Sequence, residues 1–200
     1  MKKDKKTKLG TKDLIYAGAF AAIYIIAMFI IVMVFGMIPI LYILAPLFVG
    51  ILCATIYMMY ISKVKKFGAI LILAILFGTI MSSSGHGFTI LMTIPIGLIA
   101  EFIAKKDGYN SKKMIVLSYM VFNLTMIAPF LSFYTATEKF IEDTREYYGE
   151  VYANTLDGLI SKFGWGLYGG QVALAVLGAL IGGGLAVVLF KKHFERAGLV

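Results

Sequence analysis

The sequence predicts an all-α integral membrane protein, a bundle of six transmembrane helices with both termini in the cytoplasm. Three observations carry this expectation. The chain of 200 residues is 60% hydrophobic with a mean hydropathy of +0.87, well beyond an ordinary globular domain. It holds six apolar segments close to the roughly 20 residues that a bilayer core about 30 Å thick requires of a helix. Its lysines and arginines gather on alternate connections between those segments. A soluble helical bundle would keep a polar face on each helix, and stretches such as 38–61 and 114–133 have none.

Residues 1–13 form a basic tail, too rich in lysine to pack. A long apolar run follows it without a clear small-residue cleavage pattern, so it does not read as a signal peptide. The first span covers about 14–35. Gly36 interrupts the apolar run, and Pro39 and Pro46 lie in the next one. Proline suits a first helical turn and disrupts an interior. The second span therefore starts near Pro46 and ends at Ile61, and 36–45 is an apolar connection at the membrane surface or dipping into it. The third span, 67–81, is short and stops at the serine- and glycine-rich loop 82–87. The fourth covers about 88–104, the fifth 113–133 and the sixth 164–190, followed by a basic tail at 191–200.

With the N-terminus placed in the cytoplasm, every basic residue except Lys139, Arg145 and Lys162 falls on the cytoplasmic side. Those three share one long outer loop with Glu138, Glu142, Asp143, Glu146, Glu150 and Asp157. This is the asymmetry of the positive-inside rule, and it accounts for the net charge of +8. Nucleic-acid binding would gather the basic residues into one patch, whereas here they sit at helix ends.

The outer loop, 134–163, has helical periodicity. Phe140, Tyr147, Tyr148, Val151, Tyr152, Leu159 and Phe163 recur at near-helical steps with acids between them, the pattern of an amphipathic helix. Its apolar face lies either on the membrane surface or on the outer mouth of the bundle as a lid. Cys53, the only cysteine, sits inside the second span as a small hydrophobe and cannot form an internal disulfide.

Polar residues within the spans are scarce, and such residues carry functional suspicion. Glu101 precedes Lys105 by four residues, the spacing of an interfacial salt bridge. No span holds a central Asp, Lys or Arg, which disfavours an ion-coupled carrier. His86 is either a solvated loop histidine or a hydrogen-bonding or stacking group for a bound solute. With His193 at the opposite end it cannot build a metal site. The serines beside it lack the held geometry of a hydrolase, so no enzymatic activity is expected.

Asn123 lies within the fifth span, where its amide bonds either another helix or a ligand. Trp165 and Tyr168 either anchor the sixth helix in the headgroup zone or wall a solute site, with Gln171 one turn deeper. Together with Tyr42 in the first outer connection, these residues suit a neutral, partly aromatic solute. Ala17 and Ala21, and Gly178 and Gly182, form small-residue strips that allow close helix approach. The chain contains no Gly-x-x-x-x-Gly-Lys-Ser/Thr loop and so cannot hydrolyse ATP by that route.

The whole chain resembles the substrate-binding S components of energy-coupling factor (ECF) transporters, most closely the Trep-Strep (MptD-type) group. The resemblance rests on the lysine-rich start running into Lys12-Asp13-Leu14-Ile15-Tyr16-Ala17-Gly18-Ala19-Phe20-Ala21. It includes Pro95-Ile96-Gly97-Leu98-Ile99-Ala100-Glu101 and the closing Lys192-His193-Phe194-Glu195-Arg196-Ala197-Gly198. It implies a six-helix protein that captures a vitamin or related micronutrient outside the cell. Such a protein delivers its solute inward with a transmembrane T protein and two ATPases, and holds no cofactor of its own. It further implies that Ala17 and Ala21 meet the T protein, and that the solute lies on the outer side, where Tyr42, His86, Asn123, Trp165, Tyr168 and Gln171 are the candidate contacts. A stand-alone ion-coupled permease and an intramembrane enzyme are the competing functions.

Overall fold

The computed structural model describes residues 9–84 and 86–194, with side chains to residue 192. The rest of the expected tails, 1–8 and 195–200, lies outside the described residues, as does Gly85. All regular structure among the described residues is helical.

Helix α1 (Thr11–Gly36) begins where the Gly10 backbone N–H donates to the Asp13 carboxylate at 2.8 Å. Asp13 also pairs with Lys66 at 2.5 Å, tying the start of the helix to the connection that follows α4. A stripe of Ala17, Ala21, Tyr24 and Met28 is buried, while Ile15, Ile23, Ile26, Ile30 and Met33 are exposed. In water so apolar an outer face would be a liability; in lipid it is the expected surface.

After Gly36 the chain turns through a short helix, α2 (Pro39–Ile43), with Pro39 in its first turn. The expected second span is broken at Cys53 into α3 (Ala45–Leu52) and α4 (Ala54–Lys63), bent by 46°. Helices α5 (Ala69–Ser83) and α6 (Thr89–Lys105) form an antiparallel hairpin. Helix α7 (Lys112–Asn123) passes into two 3₁₀ turns, Leu124–Ile127 and Pro129–Leu131, and the short α8 (Ser132–Thr135). A second hairpin follows, α9 (Thr137–Tyr148) and α10 (Glu150–Phe163), before the long α11 (Trp165–Leu189) and a closing π turn, Phe190–Phe194.

By length and composition Thr11–Gly36, Lys112–Thr135 and Trp165–Lys192 can cross a membrane, and α3 with α4 adds a fourth if the bent pair is one span. The sequence pattern predicts six. The third and fourth apolar segments fold as 15- and 17-residue helices, roughly 22 and 25 Å long at about 1.5 Å per residue, against a core of about 30 Å.

Close packing holds the bundle together where glycine removes the Cβ. A Cβ on Gly50 would lie 2.7 Å from the backbone of Gly178 and Ala179, and one on Gly182 would lie 2.6 Å from the Ile51 carbonyl oxygen. Helices α3 and α11 therefore meet backbone to backbone; the Gly178/Gly182 spacing suggests such close approach without naming the partner helix. Buried tyrosines supply the polar ties. Tyr119 donates to the Val49 carbonyl at 3.1 Å and Tyr60 to that of Ala69 at 2.5 Å. Tyr57 and Ser118 bond at 2.7 Å, and Ser118 donates to the Ala100 carbonyl at 2.7 Å.

Glu101 departs from expectation. It is fully buried, and its carboxylate accepts the Leu71 backbone N–H at 3.1 Å and the Tyr109 hydroxyl at 2.7 Å. It thus caps the N-terminus of α5, whose first amides lack helical partners and carry partial positive charge. Lys105 lies instead over the Phe67 ring, 4.8 Å from its centroid.

The two ends of the bundle differ sharply. One gathers the start of α1, the α4–α5 and α6–α7 connections and the end of α11: Asp13 meets Lys66, Lys65 donates to Asn110 at 3.1 Å, and Lys112 lies over Phe190. This basic end carries every described basic residue except Lys139, Arg145 and Lys162. The other end carries α2, the α5–α6 loop, α8 and the α9–α10 hairpin.

Candidate functional site

The single amphipathic helix expected over 134–163 is a helical hairpin that turns at Gly149, whose φ of +86° a side chain would resist. Its buried residues are Ile141, Thr144, Tyr152, Ala153, Leu156 and Ile160. Tyr147, Tyr148, Val151 and Phe163, expected on the buried face, are exposed. The break at Gly149 resets the helical phase, so one periodic stripe cannot run through both arms. The hairpin packs on Ile43, Ala45, Phe130 and Phe133. Phe140 stacks on Phe133 at 4.0 Å, and the Tyr152 hydroxyl donates to the Gly36 carbonyl at 2.6 Å.

Beneath and beside α9 lies a cavity of about 750 Å³, lined in part by Tyr42, Ser84, His86, Lys139, Asp143 and Tyr148. This falls within the range of small-molecule sites. A smaller apolar chamber of about 160 Å³ lies deeper in the bundle, among Met28, Val32, Phe77, Met81 and Met126. Tyr42, Ser84 and His86 line both. His86 also lines a third, small cavity against Pro129 and Ser132.

Local chemistry fixes His86. Ser82 accepts the Ile90 backbone N–H at 3.1 Å, which caps α6 and shapes the loop. The Ser132 hydroxyl donates to the Pro129 carbonyl at 2.8 Å, and His86 Nδ1 lies 3.2 Å from the same Ser132 oxygen. With the serine proton committed, Nδ1 is the donor of neutral His86 and Nε2 the acceptor. Burial lowers the His86 pKa below the usual imidazole value, opposed by a hydrogen bond to the Pro129 carbonyl.

The expected contacts separate into four groups. Tyr42 and His86 come together at the cavity. Asn123 is buried between α7, α3 and α11, donating to the carbonyls of Pro46 at 3.1 Å and Ala175 at 2.8 Å, so its amide joins helices. Trp165, Tyr168 and Tyr134 form a separate aromatic cluster, with Trp165 stacked on Tyr134 at 5.0 Å. Trp165 is 61% exposed, which suits a headgroup anchor. Gln171 is fully buried and makes no hydrogen bond with a described residue. None of these last four lines the three cavities.

Ser84, Ser132, Lys139, Asp143 and Thr144 line the large cavity without having been singled out in the sequence. Lys139, Asp143, Thr144 and Tyr147 stand at i, i+4, i+5 and i+8, one side of α9, and that spacing is the signal that could have found them. Ala17 and Ala21, expected on a partner-facing surface, are buried in this chain's own core.

A helical, polytopic integral membrane protein with an open cavity at the end away from its basic residues is the class this fold and site define. The family model for a hypothetical bacterial integral membrane protein, Trep-Strep, matches residues 11–196, and the chain belongs to that family. No curated protein and no solved structure matched in comparison with this chain.

Proposed function

We propose that this chain is the solute-capturing S subunit of an ECF-type importer, taking a vitamin-sized micronutrient from outside and delivering it inward with a T protein and two ATPases. The observation that carries the proposal is the cavity at the end opposite the lysines, with an apolar chamber continuing below it. Under the positive-inside rule the basic end is cytoplasmic, so the cavity opens outward and both termini lie inside. All six apolar segments cross in this reading, α5 and α6 as the thin side of the bundle, where the bilayer adapts to shorter helices.

The chain supplies no energy source of its own. The buried carboxylate, Glu101, is occupied by capping α5, which weighs against a proton relay and an ion-coupled permease. Docking on the T protein uses α1. Because Ala17 and Ala21 face inward, the exposed Gly18 and Ala22 beside them form the contact face in this conformation.

Mass spectrometry of small molecules that co-purify with the protein in detergent tests this function. A single solute, lost in His86→Ala, supports capture. Uphill uptake by this chain alone in vesicles, with no ATPase present, overturns it. For docking, Ala22→Trp should abolish assembly with the T protein while leaving solute retention intact.

A further inference from the structure

The large cavity carries two opposite charges that have no partner among the described residues. Lys139 and Asp143 both line it, four residues apart on α9. Neither makes a hydrogen bond or ion pair with a described residue. Elsewhere on the same hairpin a charge does find partners: Arg145 Nε pairs with Glu150 at 3.2 Å, and its Nη2 donates to the neutral Asn154 amide at 3.5 Å. The order along α9 explains part of the difference, since a base preceding an acid by four residues is the weaker of the two helical arrangements. The two charges stand about 6 Å apart along the helix axis, over a wall that includes Tyr42, Phe140 and Tyr148.

From this arrangement we infer that the cavity takes an amphoteric solute, one bearing both an anionic and a cationic group on a planar or aromatic body. The anionic group meets Lys139, the cationic group meets Asp143, and the body lies along the tyrosines above the apolar chamber. A solute of one charge would engage only one of these side chains, and a neutral solute neither. This replaces the neutral solute expected from the aromatic and amide residues alone, because Asn123 and Gln171 line none of these cavities while Lys139 and Asp143 line the largest. The inference rests on the solute-capture reading and narrows it.

Four probes that share one ring system separate the charge classes: L-tryptophan (zwitterion), tryptamine (cation), indole-3-propionate (anion) and 3-methylindole (neutral). Each is titrated against the full chain in detergent, with the thermal unfolding midpoint as the readout. L-tryptophan should stabilise at the lowest concentration. Lys139→Gln and Asp143→Asn should each weaken it by on the order of tenfold, the first bringing it level with tryptamine and the second level with indole-3-propionate. Both side chains are exposed and make no bond to a described residue, so the variants should melt like the parent without ligand. Equal stabilisation by 3-methylindole, an order of potency unchanged in both variants, or stabilisation by none of the four overturns the inference. A co-purifying solute of single charge would overturn it too, while leaving the capture function standing.

Discussion

Glu101 on α6 accepts the backbone N–H of Leu71 on α5 at 3.1 Å, so a helix start is capped by a carboxylate from its neighbour. The same carboxylate accepts from Tyr109, whose φ of +62° is uncommon for a residue with a side chain. One buried acid therefore fixes a helix end, a hairpin and a turn together.

Removing that acid should be costly. Glu101→Ala leaves the α5 amides and the Tyr109 hydroxyl without an acceptor, a loss of about 2–4 kcal/mol. The checks are thermal unfolding in detergent and faster hydrogen exchange at the start of α5. Glu101→Gln, which keeps an acceptor oxygen, should lose less.

The contact between α3 and α11 tolerates no added carbon. Gly182→Ala places a Cβ into the Gly50 and Ile51 carbonyls, forcing the helices apart at a cost of roughly 1–3 kcal/mol. Gly184→Ala, at a position with open space, is the matched control and should leave the unfolding midpoint unchanged.

Asn123 and Gln171 should respond in opposite senses. Asn123→Leu deletes two interhelical hydrogen bonds, each worth about 0.6–2 kcal/mol in a membrane bundle, and should lower the midpoint. Gln171→Leu replaces a buried amide that bonds no described residue with an apolar group of similar size and should raise it. A destabilised Gln171→Leu would mean that the amide is bonded in the membrane.

Acid should loosen the cavity. His86 has a lowered pKa in the folded chain, so the folded state binds fewer protons than the unfolded one below the unfolded value of about 6.5. Its contribution is fully present above that pH and is lost as the pH falls towards the folded pKa. Unfolding midpoints between pH 7.5 and pH 5 should show this loss in the parent and a shallower one in His86→Gln.

The hairpin roof should depend on one hydroxyl. Tyr152→Phe removes its bond to the Gly36 carbonyl, worth about 1 kcal/mol. Hydrogen exchange over α9 and α10 should quicken while α5 and α6 keep their protection.

The membrane character, the close helix approach at Gly178 and Gly182 and the two-ended charge distribution were legible in the sequence, because each depends on composition or on spacing along one helix; that α3 is the helix packed there was not. Tyr42 and His86 were legible as cavity residues for a related reason: both sit at the end opposite the lysines. What escaped depends on contacts between distant segments. The i,i+4 spacing of Glu101 and Lys105 suggested a pair, but the α5 amides and the Tyr109 hydroxyl satisfy the carboxylate in the buried interior. Ala17 and Ala21 marked a smooth face without saying which neighbour would cover it. Lys139 and Asp143 were counted among the charges of the outer loop, and only the turn at Gly149 and the docking of Phe140 on Phe133 bring their side of α9 to the cavity.

Met28, Met81 and Met126, from three separate parts of the chain, line the deep chamber. Thioether side chains are unbranched and polarisable, and they reshape around whatever enters. The lower chamber is consequently permissive, so variants of the proposed solute that differ only in a part entering it should compete nearly equally. Under the proposed capture function, discrimination among solutes falls to the rim.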